Sequence, residues 1–421
     1  MMRRASRGSC TTTWDDTGAI VLPPTIRRMD EARSASSIVS RLSLVIFLEW
    51  LGATAVLPLL PLYLRDKGAS PSTTGVVMAS FFIAGVLVQY PAGRLSDRYG
   101  RKPVLIVGLA SYALACLGFI LPLSPLSYGA LRFVQGGAAG AIEVATLATV
   151  SLVVPAAQRG RASSRIYAAQ LGGAAFGPLL GAFIGVQQMA YVFILAACLA
   201  TLAAVPVLRR DLGPRHVHGE PMGRLTLDAR LGGAMVIAVS LGLVIGAYES
   251  CWTLLMHYKG ASSLQLGLSW MFFALPYVVF FRVGGWFADH TDRRIFAMIG
   301  IVNATAFCAI YPLLGSVTAL LALSCFEAIG SSLALPSAQS ILTEGANPRE
   351  IGRRQGAFST AQTGAMAVSA MLSGALFEVG PAVPFVSMAI VATALVIAVP
   401  ILWRRIPGRV STATASLTPP P

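Results

Sequence analysis

The chain has 421 residues, of which 55% are hydrophobic and only 12% are charged, and its mean hydropathy is +0.69. A soluble enzyme of this composition would lack the polar residues needed to cover its surface, so the composition indicates an integral membrane protein. The formal net charge of +14 does not indicate nucleic-acid binding, because the basic residues lie between apolar segments rather than on one soluble face.

The chain begins with a polar segment, residues 1–40, which we interpret as a disordered cytoplasmic tail without the apolar core of a secretory signal. Met29 is an alternative start, because an ordinary lead-in to the first apolar segment follows it. Apolar runs then recur at about 20 residues each, the length that a helix needs to cross a bilayer core of about 30 Å. We number these runs spans 1 to 12, and they cover 42–64, 74–95, 103–123, 127–153, 162–184, 188–208, 231–256, 265–287, 295–314, 317–342, 354–377 and 382–403.

The spans fall into two groups of six, separated by a polar segment at 209–230. We therefore expect six-helix bundles over 41–208 and 231–404, a central cytoplasmic loop between them and a second disordered cytoplasmic tail at 405–421. Nearly all lysines and arginines lie on the side of the two termini, which predicts that this side is cytoplasmic and that the protein is a multi-pass protein of the plasma membrane.

The two halves repeat one another at an offset of 192 residues. The sequence KGAS at 67–70 recurs at 259–262, and GRLSDRYGRK at 93–102 has its counterpart in GWFADHTDRR at 285–294. Because these matches fall in equivalent loops without a gap, they indicate a duplicated bundle.

The segment GRLSDRYGRK joins spans 2 and 3. The preference for positive charge on the cytoplasmic side explains its basic residues, but it does not explain Asp97 or the matching Asp289. The pattern resembles the signature between the second and third helices of the major facilitator superfamily. In the second copy His290 and Asp292 replace Arg98 and Gly100, so we expect that loop to turn differently.

We interpret the two loops as a latch at the cytoplasmic side. Asp97 would pair with Arg101 and reach across to Arg353 and Arg354 at the start of span 11. Asp289 would do the same toward Arg161 and span 5. The residues assigned to this gating loop are Gly93, Asp97, Arg98, Gly100, Arg101, Lys102, Asp289, Arg293 and Arg353.

Two further motifs carry the same resemblance. The segment RFVQGGAAGA in span 4 looks like the family's fourth-helix motif, and GAAFGPLLGA in span 5 resembles the antiporter motif of drug:proton exporters. In span 5 Gly173, Gly177 and Gly181 share one helix face and allow a close helix contact, and Pro178 is expected to kink the helix. Ordinary tight packing is the alternative explanation. Ala182 stands where a second glycine is usual.

The resemblance covers about 41–404 and implies an all-α membrane protein with twelve transmembrane helices. These would form two pseudo-symmetric six-helix bundles around a central cavity that opens alternately to each side. Spans 1, 4, 7 and 10 line the cavity by this resemblance, and each contains one glutamate: Glu49, Glu143, Glu249 and Glu327.

A carboxylate at the bilayer centre costs about 2.5 to 3.5 kcal/mol, so each glutamate needs a reason to lie there. We interpret the four glutamates as proton carriers, with Glu49 and Glu327 first, and Arg132 as a basic partner in span 4. A hydrogen-bonded glutamate that merely joins two helices is the alternative. The substrate cavity would be lined by polar and aromatic residues near these carboxylates, which are Trp50, Gln135, Gln170, Tyr248, Trp252, Phe273 and Gln362.

The sequence predicts no cofactor. It contains no phosphate-binding loop of the Walker type, and its six cysteines and four histidines lack the spacing of metal ligands. We therefore expect a monomeric secondary transporter in the lipid bilayer that exports drug-like or lipophilic small molecules in exchange for protons. Proton-coupled transport of a native metabolite, such as a sugar, amino acid or siderophore, is the second interpretation. A membrane receptor on the same fold is the third, and no catalytic constellation indicates an enzyme.

Overall fold

The computed structural model describes residues 13–14, 20–21, 24–155, 158–208, 226–344, 346 and 348–406. Two short strands, β1 (Thr13–Trp14) and β2 (Ile20–Val21), pair antiparallel, and helices make up most of the remaining described chain. The α-helices are α1 (Pro24–Val56), α2 (Leu60–Asp66), α3 (Pro71–Tyr99), α4 (Arg101–Gly118), α5 (Ser127–Val153), α6 (Arg159–Ile184), α7 (Met189–Leu208), α8 (Ala229–Ala247), α9 (Thr253–Tyr258), α10 (Ser263–His290), α11 (Arg293–Ile310), α12 (Val317–Ser331), α13 (Ala334–Thr343), α14 (Pro348–Val379), α15 (Val383–Val396) and α16 (Ala398–Trp403).

Each predicted span corresponds to one helix or to two helices in line. In the described chain eleven such segments have the length and hydropathy of a membrane span. Span 11 corresponds to α14, which has 32 residues and begins with a charged turn. The predicted all-α membrane fold is confirmed.

The first helix begins earlier than the sequence suggests. Helix α1 starts at Pro24, inside the segment 1–40 that we interpret as a tail, and its membrane-length part begins at Ala35. Proline is well tolerated at the first position of a helix, and the residues after Met29 include good helix formers. The other proposed linker and tail segments lie largely outside the described residues, at 209–225 and 407–421.

The α-helices of spans 1, 7 and 10 are interrupted within the span. Span 1 is interrupted between α1 and α2 at Pro58, and span 10 is interrupted between α12 and α13. In span 7 a five-residue π-helix, Tyr248–Trp252, separates α8 from α9. The backbone carbonyl oxygen of Pro58 accepts a hydrogen bond of 2.8 Å from the hydroxyl of Thr253. A residue of span 7 therefore supplies a donor to a backbone group at the break in span 1.

The two KGAS turns have the same backbone geometry. Gly68 and Gly260 adopt positive φ angles of 86° and 83°, which a residue with a Cβ atom rarely adopts. The serine that ends each turn caps the following helix, Ser70 for α3 and Ser262 for α10. The sequence repeat is therefore a structural repeat, and we call the end of the molecule that carries both turns the KGAS end.

The bundles are in direct backbone contact near the KGAS end. A Cβ atom on Gly75 in α3 would lie 2.7 Å from the carbonyl oxygen of Ala370 in α14. A Cβ atom on Gly267 in α10 would lie 2.7 Å from the carbonyl oxygen of Pro178 in α6. The residues of one contact are each offset by 192 from those of the other, so the same contact closes both sides of the interface.

Hydrogen bonds between the described parts of the bundles lie at this end as well. They join Thr253 to Pro58, the backbone N–H of Ser72 to the carboxylate of Glu378 (3.1 Å), and the guanidinium of Arg65 to the imidazole of His257 (2.9 Å). The KGAS end is therefore the closed end of this conformation.

The opposite end carries the two charged loops, and we call it the charged end. Gly100 has a φ angle of 94°, whereas the equivalent Asp292 has a φ angle of −79°. Asp292 instead caps α11 by accepting a hydrogen bond from the N–H of Arg294. The prediction that the second loop turns differently is confirmed, because a carboxylate cap replaces the glycine turn.

Substitution of Gly75 by alanine should open the KGAS end. The new Cβ atom would meet backbone atoms that cannot move aside, and such overpacking costs roughly 1 to 3 kcal/mol. Ser124 lies in the loop between spans 3 and 4, and Ser316 lies in the equivalent loop between spans 9 and 10. Pulsed electron paramagnetic resonance between spin labels on cysteines replacing these two serines should therefore show a larger fraction of molecules with a long distance between the labels. The matched control is Gly85→Ala on the same helix, where the nearest atom would be 4.0 Å away; equal distance distributions in the two variants would contradict this account.

Candidate functional site

Glu327 in α12 is the best-defined carboxylate of the four. Its side chain is buried, with 3% of its surface exposed. The hydroxyl of Tyr248 donates a hydrogen bond of 3.0 Å to Oε1, and the hydroxyl of Tyr311 donates one of 2.7 Å to Oε2. Both oxygens thus have an O–H donor in place of water.

The surroundings of Glu327 fix its position on three spans. The side-chain amide of Asn303 in α11 donates to the backbone carbonyl of Glu327 at 2.9 Å. The ring of Tyr311 packs edge-on against Trp252 with centroids 5.0 Å apart, and Trp252 donates from its indole N–H to Ser269 in α10. Residues of spans 7 and 9 therefore contact the carboxylate that span 10 provides, and Trp252 links this group to span 8.

The sequence prediction missed Tyr311 and Asn303. Tyr248 and Trp252 were expected to line the substrate cavity, but the structure shows Tyr248 bound to the proposed proton carrier. A signal for Tyr311 existed in principle, because a polar hydroxyl within a membrane span needs a partner. The sequence did not say which partner it had.

Glu249 lies in the π-helix of span 7, next to Tyr248. Its Oε2 atom is buried and has no hydrogen-bond partner among the described residues. The charged group that acts on Glu249 from the other bundle is the guanidinium of Arg132 in α5. Single π-helical turns occur often at functional sites, and here the turn places two site residues side by side.

Arg132 is buried, with 3% of its surface exposed. It donates a hydrogen bond of 3.1 Å to the side-chain oxygen of Gln135, and its guanidinium lies 4.5 Å from the ring centroid of Phe81. Gln135 in turn donates to the sulfur of Cys116. Gln135 was expected in the substrate cavity; in this conformation it is fully buried and orients Arg132.

Glu49 and Glu143 form the carboxylate pair of the other bundle. Glu49 in α1 is buried, Glu143 in α5 is half-buried, and the two lie close enough for their charges to repel. Tyr112 in α4, which the sequence prediction also missed, lies within electrostatic range of both Glu49 and Arg132. Its buried hydroxyl has no hydrogen-bond partner in the described chain.

The remaining cavity residues of the prediction lie on the expected spans. Trp50, Gln170 and Gln362 are half-buried on α1, α6 and α14. Phe273 begins an aromatic stripe along α10, in which it stacks on Tyr277 and Tyr277 packs against Phe281 at centroid distances of 5.7 and 5.9 Å. This stripe was not predicted.

The glycines of the span 5 motif face span 1 of their own bundle. A Cβ atom on Gly173 would lie 2.8 Å from the backbone nitrogen of Leu51, and one on Gly177 would lie 2.6 Å from the carbonyl oxygen of Leu51. Gly181 lies against Ala55 in the same way. The close helix contact expected from the motif is therefore present within the bundle, whereas Pro178 faces α10 of the other bundle.

Basic residues of the charged loops anchor each loop within its own bundle. Lys102 donates to the carbonyl oxygen of Leu208 at the end of α7, and the equivalent Arg294 donates to the carbonyl oxygen of Ile406 after α16. Arg293, with 1% of its surface exposed, pairs with Glu344. These contacts give the basic residues a structural role in addition to the role in membrane orientation that the sequence predicts.

The acidic residue of the first loop is exposed. The side chain of Asp97 is 70% exposed and pairs with the buried Arg101 at 3.6 Å, as expected. Gly93 faces Val144 of α5, and the guanidinium of Arg98 lies over the ring of Tyr99. The side chain of the equivalent Asp289 lies outside the described residues.

The proposed partner of Asp97 in span 11 is occupied. Arg354 forms two hydrogen bonds with the carboxylate of Asp228, the shorter 2.7 Å, and lies 3.8 Å from Glu350. Arg353 is half-buried beside it. The latch between the bundles thus remains a prediction for another conformation, because Arg354 is bound within its own bundle here.

Asp228 also caps α8, by accepting a hydrogen bond of 2.8 Å from the N–H of Leu231. Burial alone would raise the pKa of Asp228. The hydrogen bonds from Arg354 and Leu231 and the charge of Arg230 outweigh that effect and lower the pKa below its usual value.

Sequence comparison identifies the group of proteins with this architecture. The model of the family described as Major Facilitator Superfamily matches residues 42–250 and 230–419. Multidrug resistance protein 1 of Bacillus subtilis is 24% identical over 375 residues, which cover 85% of this chain and 94% of that protein. The class E tetracycline resistance protein of Escherichia coli is 28% identical over 282 residues, covering 61% of this chain and 68% of that protein.

Other matches are shorter or more distant in sequence. Multidrug resistance protein 2 of Bacillus subtilis is 31% identical over 176 residues, 41% of this chain, and the match spans 44% of that protein. Among solved structures, a mutant of the nucleoside transporter NupG has a TM-score of 0.71 at 16% identity and covers 87% of this chain and 100% of that chain. A D-xylose–proton symporter has a TM-score of 0.68 at 18% identity, covering 89% and 98%. These two likenesses show the fold.

Replacement of Tyr311 by phenylalanine should destabilise the protein. It leaves one buried carboxylate oxygen without its donor, which costs about 1 to 3 kcal/mol. Thermal unfolding in detergent measures the effect, and Tyr191→Phe at an exposed site is the matched control. In a Glu327→Ala background the cost of Tyr311→Phe should shrink; an unchanged cost would show that the hydrogen bond is not its source.

Stability should fall in acid through Asp228. Because its pKa is lowered in the folded protein, the ionised carboxylate stabilises the fold above its usual pKa of about 4, and this contribution is lost as the pH falls further. Asp228→Asn and Arg354→Gln should each flatten the dependence of the melting temperature on pH in that range. A slope equal to that of the wild type in both variants would assign the acid response to other groups.

Proposed function

The chain belongs to the Major Facilitator Superfamily, and we propose that it exports drug-like or lipophilic small molecules in exchange for protons by alternating access. It is a multi-pass membrane transporter and not an enzyme. The observation that carries the proposal is the buried carboxylate of Glu327, held by two tyrosine hydroxyls from spans 7 and 9.

A buried carboxylate suits proton exchange because its two protonation states differ in their contacts. The ionised form accepts a hydrogen bond at each oxygen, and the protonated form must donate one, so Tyr248 or Tyr311 has to turn its hydroxyl away. Tyr248 lies in the π-helix of span 7, next to Glu249, so a change at Glu327 reaches a second carboxylate. Protonation is thereby linked to the shape of a helix that contacts the other bundle.

We propose that the KGAS end faces the outside and the charged end, with both termini, faces the cytoplasm. Protonation from outside would release substrate outward, and deprotonation toward the cytoplasm would return the cavity to bind the next molecule. The proton-motive force supplies the energy, at about 2.3 kcal/mol for each charge that crosses 100 mV. We further propose that the protein acts as a monomer in the lipid bilayer of a bacterial plasma membrane.

Export is supported by the relatives that are named for resistance to several drugs or to tetracycline, and by the antiporter-like motif in span 5. Proton-coupled transport of a native metabolite is the second candidate. The similarity of fold to a nucleoside transporter and to a D-xylose–proton symporter favours keeping it in the tests.

Neutralising Glu327 should uncouple transport from protons. Tetracycline or a fluorescent aromatic cation is added outside proteoliposomes that contain the protein. Glu327→Gln should reduce the amount of substrate accumulated under a pH gradient by about tenfold or more, because the variant has no exchangeable proton at this position. Exchange of labelled for unlabelled substrate without a gradient should persist, since it needs no net proton movement. Glu49→Gln tests the other bundle in the same way.

The matched control is Glu378→Gln at the KGAS end, where the amide oxygen can still accept the hydrogen bond from Ser72. Reversing the polarity of the gradient separates export from uptake. Gradient-driven accumulation that survives neutralisation of all four glutamates, Glu49, Glu143, Glu249 and Glu327, would refute the coupling scheme. Gradient-driven accumulation of a sugar or an amino acid, without accumulation of tetracycline or the aromatic cation, would favour the second candidate.

A further inference from the structure

A pair of equivalent residues meets where the two bundles come together at the KGAS end. Arg65 in the last turn of α2 and His257 in the last turn of α9 are 192 residues apart, the offset of the repeat, and their side chains lie 2.9 Å apart from Nη2 to Nε2. Equivalent positions can touch only near the pseudo-twofold axis that relates the halves. Any opening of this end that moves the two bundles away from the axis must break this contact.

The contact requires a neutral histidine. A guanidinium has only donors, so Nε2 of His257 has to accept, which an imidazole can do only when its proton is on Nδ1. A proton on Nε2 removes the acceptor and places two positive charges against each other. The contact therefore exists in one protonation state and repels in the other.

Other charged groups near His257 modify this effect but do not replace it. Asp66, also on α2, is the other charge that acts on the imidazole. Lys259, two residues after His257, donates its ammonium to the carbonyl oxygens of Pro312 and Leu314, and Tyr258 points to solvent. From the neighbouring π-helix the acidic group is Glu249, which lies two turns away and interacts with Arg132.

We propose that His257 is an external proton-binding site, distinct from the buried carboxylates, whose protonation releases the closed KGAS end. The word external rests on the orientation proposed above. Arg65 and His257 are both exposed to solvent, so the imidazole takes its proton directly from the medium. An acidic medium would then favour the outward-open state, from which protons reach the buried carboxylates.

The test measures opening and not transport. Full-length protein in lipid nanodiscs, which expose both ends to the buffer, carries spin labels on cysteines replacing Ser124 and Ser316. Between pH 8 and pH 5 the ratio of long to short distances should rise about three- to tenfold in the wild type, the effect of losing one hydrogen bond and gaining a repulsion. This readout needs no substrate and no knowledge of the orientation, so its failure is distinguishable from failure of the proposed function.

Two substitutions at one exposed site separate charge from hydrogen bonding. His257→Gln keeps a neutral acceptor at every pH and should lose most of the pH response. His257→Lys is always positive and should be open at pH 8, and Arg65→Gln in the same chain should close it again, because a glutamine oxygen accepts from the lysine. Asp66→Asn removes the negative charge that offsets the repulsion between Arg65 and the protonated His257. The pH response of this variant should therefore be larger than that of the wild type.

The proposal is overturned if His257→Gln responds to pH as strongly as the wild type, which would assign the response to the buried carboxylates. It is equally overturned if His257→Lys remains as closed as the wild type at pH 8. A flat response in both the wild type and Asp66→Asn would show that the imidazolium does not loosen the contact.

Discussion

The need of polar groups inside the bilayer for partners within the protein determines several contacts between the spans. Where the helix of span 1 breaks, the carbonyl of Pro58 takes its donor from Thr253 of the other bundle. Where span 10 carries a carboxylate, two tyrosines from spans 7 and 9 supply its donors. Each satisfied group joins two spans, so these contacts also determine which spans move together.

The repeat explains how the bundles close, and its exceptions explain how they differ. The backbone contacts at Gly75 and Gly267 are copies of each other, and so are the two KGAS turns. The chemical groups are not copied in this way: Arg65 meets a histidine, and Gly100 corresponds to an aspartate. A symmetric scaffold thus provides two equivalent surfaces for closing, while unlike residues at equivalent positions give each half its own response.

Apolar run lengths predicted the fold well, because a bilayer imposes a helix length and leaves few alternatives. The offset of 192 predicted equivalent turns because the four residues of each KGAS turn are the same. Contacts between spans were not predictable in this way. The sequence placed Glu327 in span 10, but the donor Tyr311 comes from the end of span 9, and nothing in the spacing of the two residues indicates that they meet. Gln135 was assigned to the cavity from its helix alone, and its burial depends on which face of α5 turns toward α4.

The charged end shows why a sequence motif does not fix one set of contacts. Arg354 is held by Asp228 and Glu350 while the KGAS end is closed, whereas Asp97 stands exposed and is paired loosely with Arg101. If the charged end closes when the KGAS end opens, Asp97 approaches span 11, and the carboxylates of Asp97 and Asp228 compete for the same stretch of positive charge. In the latch predicted from the sequence, such an exchange of ion-pair partners would stabilise each end state without favouring one permanently, as alternating access requires.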